Sequence, residues 1–404
     1  MLNLQSNSVL IPLHVRSTVR FFKLVCILVI LPLLLSSCSN DVDQDDLSAG
    51  MKLVLSDSAF AVIKNKRDQA LERGLLVKTD NDYVPGFIEC NGKRMAVKAR
   101  LKGDHTDHLK GERWSFRIVS KGNTILNHEK ISIQGVHTRS YLNEWVFHEL
   151  LKQEGLISLQ YTFLPFCVGD SLCGIYALES HFDNFLLKRA KRKMGPIMKF
   201  DEDDFWDAKK FSGKNKDELY MRNAQIGLYN KKWCKKKSNV PVTKKAIAQL
   251  DDFRQGKLPA ADVFDLEKWA KFIAVNELMS IDHALRWHNL RFYFNPETEK
   301  IEPIGFDCGS WLPKGKELFF TQDNVELFHR QMLQDASYNE MIVQELTRLT
   351  TKEYLVSFFD DHQSEIKEME LMMQSENAKY KFWKSSYYNS QKRILGFLDN
   401  TYSK

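Results

Sequence analysis

The stretch Asp282-His283-Ala284-Leu285-Arg286-Trp287-His288-Asn289-Leu290-Arg291-Phe292-Tyr293-Phe294-Asn295-Pro296, with Pro303-Ile304-Gly305-Phe306-Asp307-Cys308-Gly309 close behind it, decides how the chain is read. Ahead of it, Trp269, Phe272, Ile273 and Met279 recur at helical spacing between Leu266 and Ile281. Asn295-Pro296 marks a turn between two apolar strands. The order is helix, polar loop, strand, turn, strand, Asp, which delivers Asp282, Asn289 and Asp307 to neighbouring loop and strand ends. Phosphoryl transfer needs such a set: one carboxylate to position an attacking hydroxyl, plus an amide and a carboxylate to hold Mg²⁺ on the phosphates. Asp282 and Asn289 lie seven positions apart, two more than the Asp and Asn of the familiar kinase catalytic loop. Asp307-Cys308-Gly309 has the Asp-x-Gly form of a metal-binding kinase turn and follows an apolar strand, although a single Asp in that place is more often a turn former.

Upstream, strand signals dominate. Phe87–Cys90 and Arg94–Leu101 flank Asn91-Gly92, the strongest short hairpin signal. Trp114–Val119 alternates apolar and polar residues; Ile131–Gln134, Tyr161–Val168 and Gly174–Glu179 are further strands. Arg139 to Glu154 reads as a helix with Leu142, Trp145, Val146 and Leu150 on one face and Gly155 as its C-cap. Residues 51–80 read as helix and loop, and the region after Asp307 as largely helical. The expected fold class is therefore α+β: a mostly antiparallel N-terminal sheet with one packed helix over residues 51–195, and a largely helical half over 196–404. Within the latter, residues 209–245 carry many Lys and Arg and few apolar residues, which reads as a flexible insert or an exposed basic face, the solvated loop being preferred.

The loop from Lys102 to Gly111 holds Gly103 and Gly111 between two strands and suits phosphate covering by backbone N–H groups, without a GxGxxG pattern. Arg100, Lys102 and Arg117 are the cations best placed to meet phosphates, against the plainer expectation of solvent-facing residues on an antiparallel sheet. Glu179 could orient such a cation, sit at the nucleotide edge, or make a surface salt bridge. Asp104, His105, Asp107 and His108 are all competent metal ligands, but they crowd into one loop. His283 and His288 flank the central acids, to tune them or to pack against Trp287.

The chain has 404 residues, 43% hydrophobic and 27% charged, an ordinary globular composition with room for two lobes. Residues 1–37 read as a signal peptide: Arg16, Arg20 and Lys23 precede an apolar run, Leu24–Leu35, too short to span a bilayer comfortably. The run ends in Leu35-Ser36-Ser37-Cys38, which resembles a bacterial lipobox with Cys38 as the lipidated residue. An acidic, unstructured tether over 38–50 is expected after it. The implied location is the cell envelope, lipid-anchored at the outer membrane. Loss of the three leader cations, with no acids among them, takes the net charge from +6 to +3, which excludes a nucleic-acid-binding charge. Of the other cysteines, Cys167 and Cys173 flank a hairpin turn and could pair in an oxidising compartment; buried free thiols are an equal expectation.

In order along the chain, Arg100-Leu101-Lys102-Gly103 with Trp114–Ile118, the helix to Gly155, Gly174–Glu179, and Asp282 through Asn289 to Asp307 resemble the CotH kinase family, the spore-coat protein H-like atypical kinases. The likeness covers roughly residues 85–310. It implies a divergent bilobal protein-kinase-like fold, ATP with Mg²⁺ or Mn²⁺, and transfer to Ser or Thr hydroxyls of a protein. By position, Asp282 becomes the catalytic base, Asn289 and Asp307 the metal ligands, and Arg100, Lys102, Arg117 and Glu179 the nucleotide-binding set. Two departures stand out: Gly309 where a second acid often follows the metal Asp, and no unambiguous phosphate-binding lysine. Rival functions are a catalytically silent surface binding protein on the same scaffold, and a phosphotransferase acting on a sugar or other small molecule.

Overall fold

The computed structural model describes residues 41–206, 217–309, 317–322 and 325–402. The expected signal peptide (1–37), the lipidation site Cys38 and the first part of the basic insert lie outside these residues. The fold is α+β, with two sheets and a largely helical second half.

The N-terminal sheet is mostly antiparallel, as the strand pattern led us to expect, but it is not the plain sheet of that reading. It closes into a barrel in the order β1 (Met51–Val54), β2 (Val84–Cys90), β3 (Lys93–Leu101), β4 (Phe116–Ser120), β5 (Lys130–Gly135), β8 (Ser171–Glu179), β7 (Tyr161–Val168). Closure depends on β1, which pairs antiparallel with β2 and parallel with β7. The β2–β3 turn takes positive φ at both Asn91 (47°) and Gly92 (73°), the geometry that matches strand twist in a two-residue hairpin. Helix α1 (Asp57–Arg73), capped by Ser56, packs on β2 and β3. Most of the segment expected as a tether is folded as well. Val42 and Leu47 enter the barrel core, and Asp46, almost fully buried, bonds Lys93 at 2.6 Å and Asn91 at 2.9 Å. Burial of two apolar side chains and neutralisation of the acid hold this stretch against the barrel.

Helix α2 (Leu142–Gln153) buries Trp145, Val146, Phe147 and Leu150 between the barrel and the second sheet. That sheet runs β10 (Ile226–Leu228), β9 (Ile197–Phe200), β11 (Arg291–Asn295), β12 (Lys300–Gly305), β6 (Ile157–Ser158). Strands β7 and β8 serve both cores by simple alternation. Leu164, Phe166, Tyr176 and Leu178 point into the barrel, while Tyr161, Phe163, Ile175 and Ala177 join the larger core outside it. The described part of the basic insert is ordered rather than a solvated loop: a helix over Asp217–Asn223, then β10, then helix α3 (Val240–Arg254). Arg254 bonds the carbonyl oxygens of Met221 and Ala224, and the apolar side chains of that pair are buried. Helix α4 (Leu266–Leu278) lies at the centre of the second half, against β12, α5 (Ala336–Leu349) and a C-terminal helix, α6 (Ser385–Tyr402).

Candidate functional site

Helix α4 ends at Leu278, and Ser280 turns the chain with φ 52° just ahead of Asp282. A short 3₁₀ turn and the β11–β12 hairpin then bring the chain back to Asp307, itself at φ 56°. Above this segment stands the outer face of β3, β4, β5 and β8. Between the two lies a cavity of about 650 Å³ whose lining includes Arg100, Lys102, Arg117, Asp282, Asn289 and Asp307, so the separated candidates share one cavity.

Lys102 leaves the end of β3 and is buried. Its Nζ donates to Glu179 Oε1 at 3.0 Å and to Gln134 Oε1. Ser132 Oγ also donates to Glu179 Oε1 at 3.0 Å. Burial works against both charges. It lowers the Lys102 ammonium, Glu179 opposing and Arg139 and Arg117 assisting, to about 8. It raises the Glu179 carboxyl, but Lys102, Arg139 and Arg117 overcome that and hold it at about 2. Glu179 thus orients a cation, as one of its readings had it, and is no surface salt bridge.

Asp307 is held by a residue the sequence reading passed over. Arg139, just ahead of α2, places NH2 2.9 Å from Asp307 Oδ2. His283 Nε2 lies 3.5 Å from Oδ1, which has no hydrogen-bond donor although buried. Burial pushes the Asp307 carboxyl up, yet Arg139 and His283 bring it well below the usual carboxylate range. The turn is pinned from beneath, where the Cys308 N–H donates to Glu144 Oε2 at 2.9 Å inside the core. No local pattern marked Arg139: its role comes from the fold placing it opposite Asp307.

Asn289 donates from Nδ2 to the His283 carbonyl at 2.9 Å, which orients the amide and leaves its oxygen for a ligand. Asp282 is partly exposed and accepts from Arg286 NH2 at 3.0 Å; Arg286 in turn reaches Glu326. Among the described residues no group of three His, Cys, Asp or Glu is assembled to hold a metal. A divalent ion of the Mg²⁺ kind nevertheless binds through one or two protein oxygens, with phosphates and waters completing its shell. The orphaned Asp307 Oδ1 and the Asn289 amide suit that smaller role.

The other candidates separate. Asp104 pairs with Lys78, His105 packs edge-on against Trp206 at 4.8 Å, and His108 is buried with Nδ1 2.9 Å from Ser115 Oγ, so these side chains do not form a metal cluster. The loop they belong to does line the cavity, from Gly103 to His108. His288 packs among Phe205, Trp206 and Trp287. Cys167 and Cys173 are disulfide-bonded, and Cys90, Cys234 and Cys308 are buried free thiols. No described helix is long and apolar enough to cross a membrane.

No protein-family model matches the chain, and no curated protein matches it in sequence.

Proposed function

We propose that this chain is a lipid-anchored envelope phosphotransferase of divergent bilobal kinase-like architecture, moving the terminal phosphate of ATP to a Ser or Thr hydroxyl of a protein. One observation carries the reading. Lys102, paired with the buried Glu179, and the Asp282, Asn289, Asp307 set line the same cavity. Protein kinases divide the same labour between a Lys–Glu pair on the phosphates and an Asp, Asn, Asp set beneath.

In this mechanism Lys102, fixed by Glu179 and Gln134, meets the phosphates as a point charge. Asp282 lies at the cavity wall, steadied by Arg286, and accepts the proton of the attacking hydroxyl oxygen. That oxygen forms the new P–O bond as the nucleoside diphosphate departs with the electron pair of the old one. Asn289 and Asp307 would hold Mg²⁺ or Mn²⁺, which neutralises charge on the phosphates. The Cys167–Cys173 disulfide agrees with an oxidising compartment outside the cytoplasm, and anchoring is assigned to Cys38.

The test is phosphate incorporation by the full chain with Asp282→Asn and Asp307→Ala, each checked for folding by circular dichroism. Losing the proton acceptor or a metal ligand should cost roughly two or more orders of magnitude in rate. Unaltered incorporation by either folded variant overturns the assignment. A second reading, a catalytically silent binding protein on this scaffold, draws on the Arg139–Asp307 pair, which already engages one oxygen of the metal carboxylate. Calorimetry with ATP and Mg²⁺ or Mn²⁺ separates the two: no saturable heat favours the silent protein. Product analysis separates a small-molecule acceptor from a protein one.

A further inference from the structure

Arg100 and Arg117 stand directly opposite each other on β3 and β4, and the next strand, β5, carries Lys130. All three line the cavity. Like charges facing each other across an antiparallel pair destabilise a sheet. Only charges acting at a distance offset them, Glu179 on Arg117 and Asp80 on Lys130. Arg100 donates to the Leu101 carbonyl at 2.8 Å and lies over the Tyr83 ring; Arg117 NH1 meets His181 Nδ1 at 3.2 Å. No carboxylate among the described residues forms a salt bridge with Arg100, Arg117 or Lys130. Glu179 acts on Arg117 through space, but its oxygens already accept from Lys102, Ser132 and Gln134. Burial, then Arg117 and Arg100, push the Lys130 ammonium down to about 7, as expected for a cation waiting for a counter-ion.

The placement matters as much as the charge. Lys102, the residue after the end of β3, lies two positions beyond Arg100, about 7 Å at strand rise, and its side chain runs to Glu179 and Gln134. Lys130 lies two residues before Ser132, the partner of Arg117, and so on the far side of the arginines from Gln134. The cationic face therefore runs away from the phosphoryl centre, where an ATP molecule would put its uncharged ribose and purine. Neutral rings would leave the repulsion standing, whereas phosphate oxygens would satisfy it with charge-assisted hydrogen bonds.

We propose that Arg100, Arg117 and Lys130 form a second anion subsite, which takes phosphate groups at the non-reacting end of a small donor more highly phosphorylated than ATP. This deepens the phosphotransfer reading by putting a more highly phosphorylated donor in the place of ATP, and it rests on that reading for which end reacts. A cavity of about 650 Å³ has room for a compact polyphosphate.

The experiment is calorimetry on the full chain in metal-free buffer at physiological salt, comparing a linear inorganic polyphosphate longer than tripolyphosphate with ATP. The polyphosphate should bind at least about tenfold more tightly. Arg117→Gln or Lys130→Gln should abolish that preference, while Lys102→Met should leave it nearly intact. In the same variants the ligand-free melting temperature should hold or rise, because a repelling cation has gone. Equal or tighter binding of ATP overturns the subsite. So does a preference that survives both substitutions, a fall in melting temperature in both variants, or equal competition by a polyglutamate peptide. If the preference is present but no donor yields phosphate transfer, the phosphotransfer reading fails and the anion subsite stands.

Discussion

Arg139 and Asp307, brought together from the start of α2 and the end of β12, form a buried ion pair 2.9 Å long at the floor of the cavity. The pair fixes the Asp307 carboxylate through Oδ2 and leaves Oδ1 without a donor. It also ties the half that carries the barrel to the half that carries the catalytic candidates.

Breaking that pair from one side strands a charge in the interior. Arg139→Met alone should destabilise the fold by about 3 kcal/mol, because one partner of a buried pair is removed and the other is left uncompensated. Adding Asp307→Leu should return a large part of the loss, since both charges are then gone. A double-mutant cycle by urea denaturation reads the coupling; strictly additive losses would mean that the two side chains do not depend on each other.

Acid should attack the Lys102–Glu179 pair in a defined window. Glu179 has a folded value of about 2 against an ordinary 4.5, so the unfolded chain takes up the proton first as pH falls. Its stabilisation is complete above pH 4.5 and is lost progressively as the pH falls from there towards 2. Glu179→Gln should flatten the acid limb of the stability curve across that interval, as followed by thermal melts at stepped pH. An unchanged limb would show that other carboxylates govern acid unfolding.

Gly309 cannot become alanine without disturbing the site. Its φ is 72°, and a Cβ there would sit 2.6 Å from His283 Cβ. Gly309→Ala should cost about 1–3 kcal/mol from backbone strain alone. It should also move His283 off Asp307, and so shift the imidazole pKa, which Asp307 raises against the effect of burial. Histidine titration by NMR measures this directly: the His283 pKa should fall towards its ordinary value in the variant.

The hairpin disulfide should be a modest staple. Cys167 and Cys173 are six residues apart, and closing so short a loop removes little entropy from the unfolded chain. Replacing both with Ser should cost about 2 kcal/mol, measured by denaturant titration, with the cavity residues unaffected.

Much of this architecture was readable locally. Asn91-Gly92 announced its hairpin because both residues tolerate positive φ, and β4 announced itself through strict alternation of buried and half-buried positions. The insert misled because its lysines suggested solvent. Its few apolar residues, Met221 and Ala224 buried with Ile226 and Leu228 packed beside them, are nevertheless enough to seat it on the core. The four-residue β1 was invisible, being too short for any periodicity to stand out from chance.

The sequence by itself determined the order of most strands and helices and placed Asp282, Asn289 and Asp307 at loop and strand ends, because periodicity and turn chemistry act between near neighbours. Only the tertiary structure decided that β1 closes a barrel, that Lys102 finds Glu179, and that Arg139 takes hold of Asp307. Those pairings join chain segments far apart in sequence. Their stability comes from burial and charge in one shared interior, which no local pattern records.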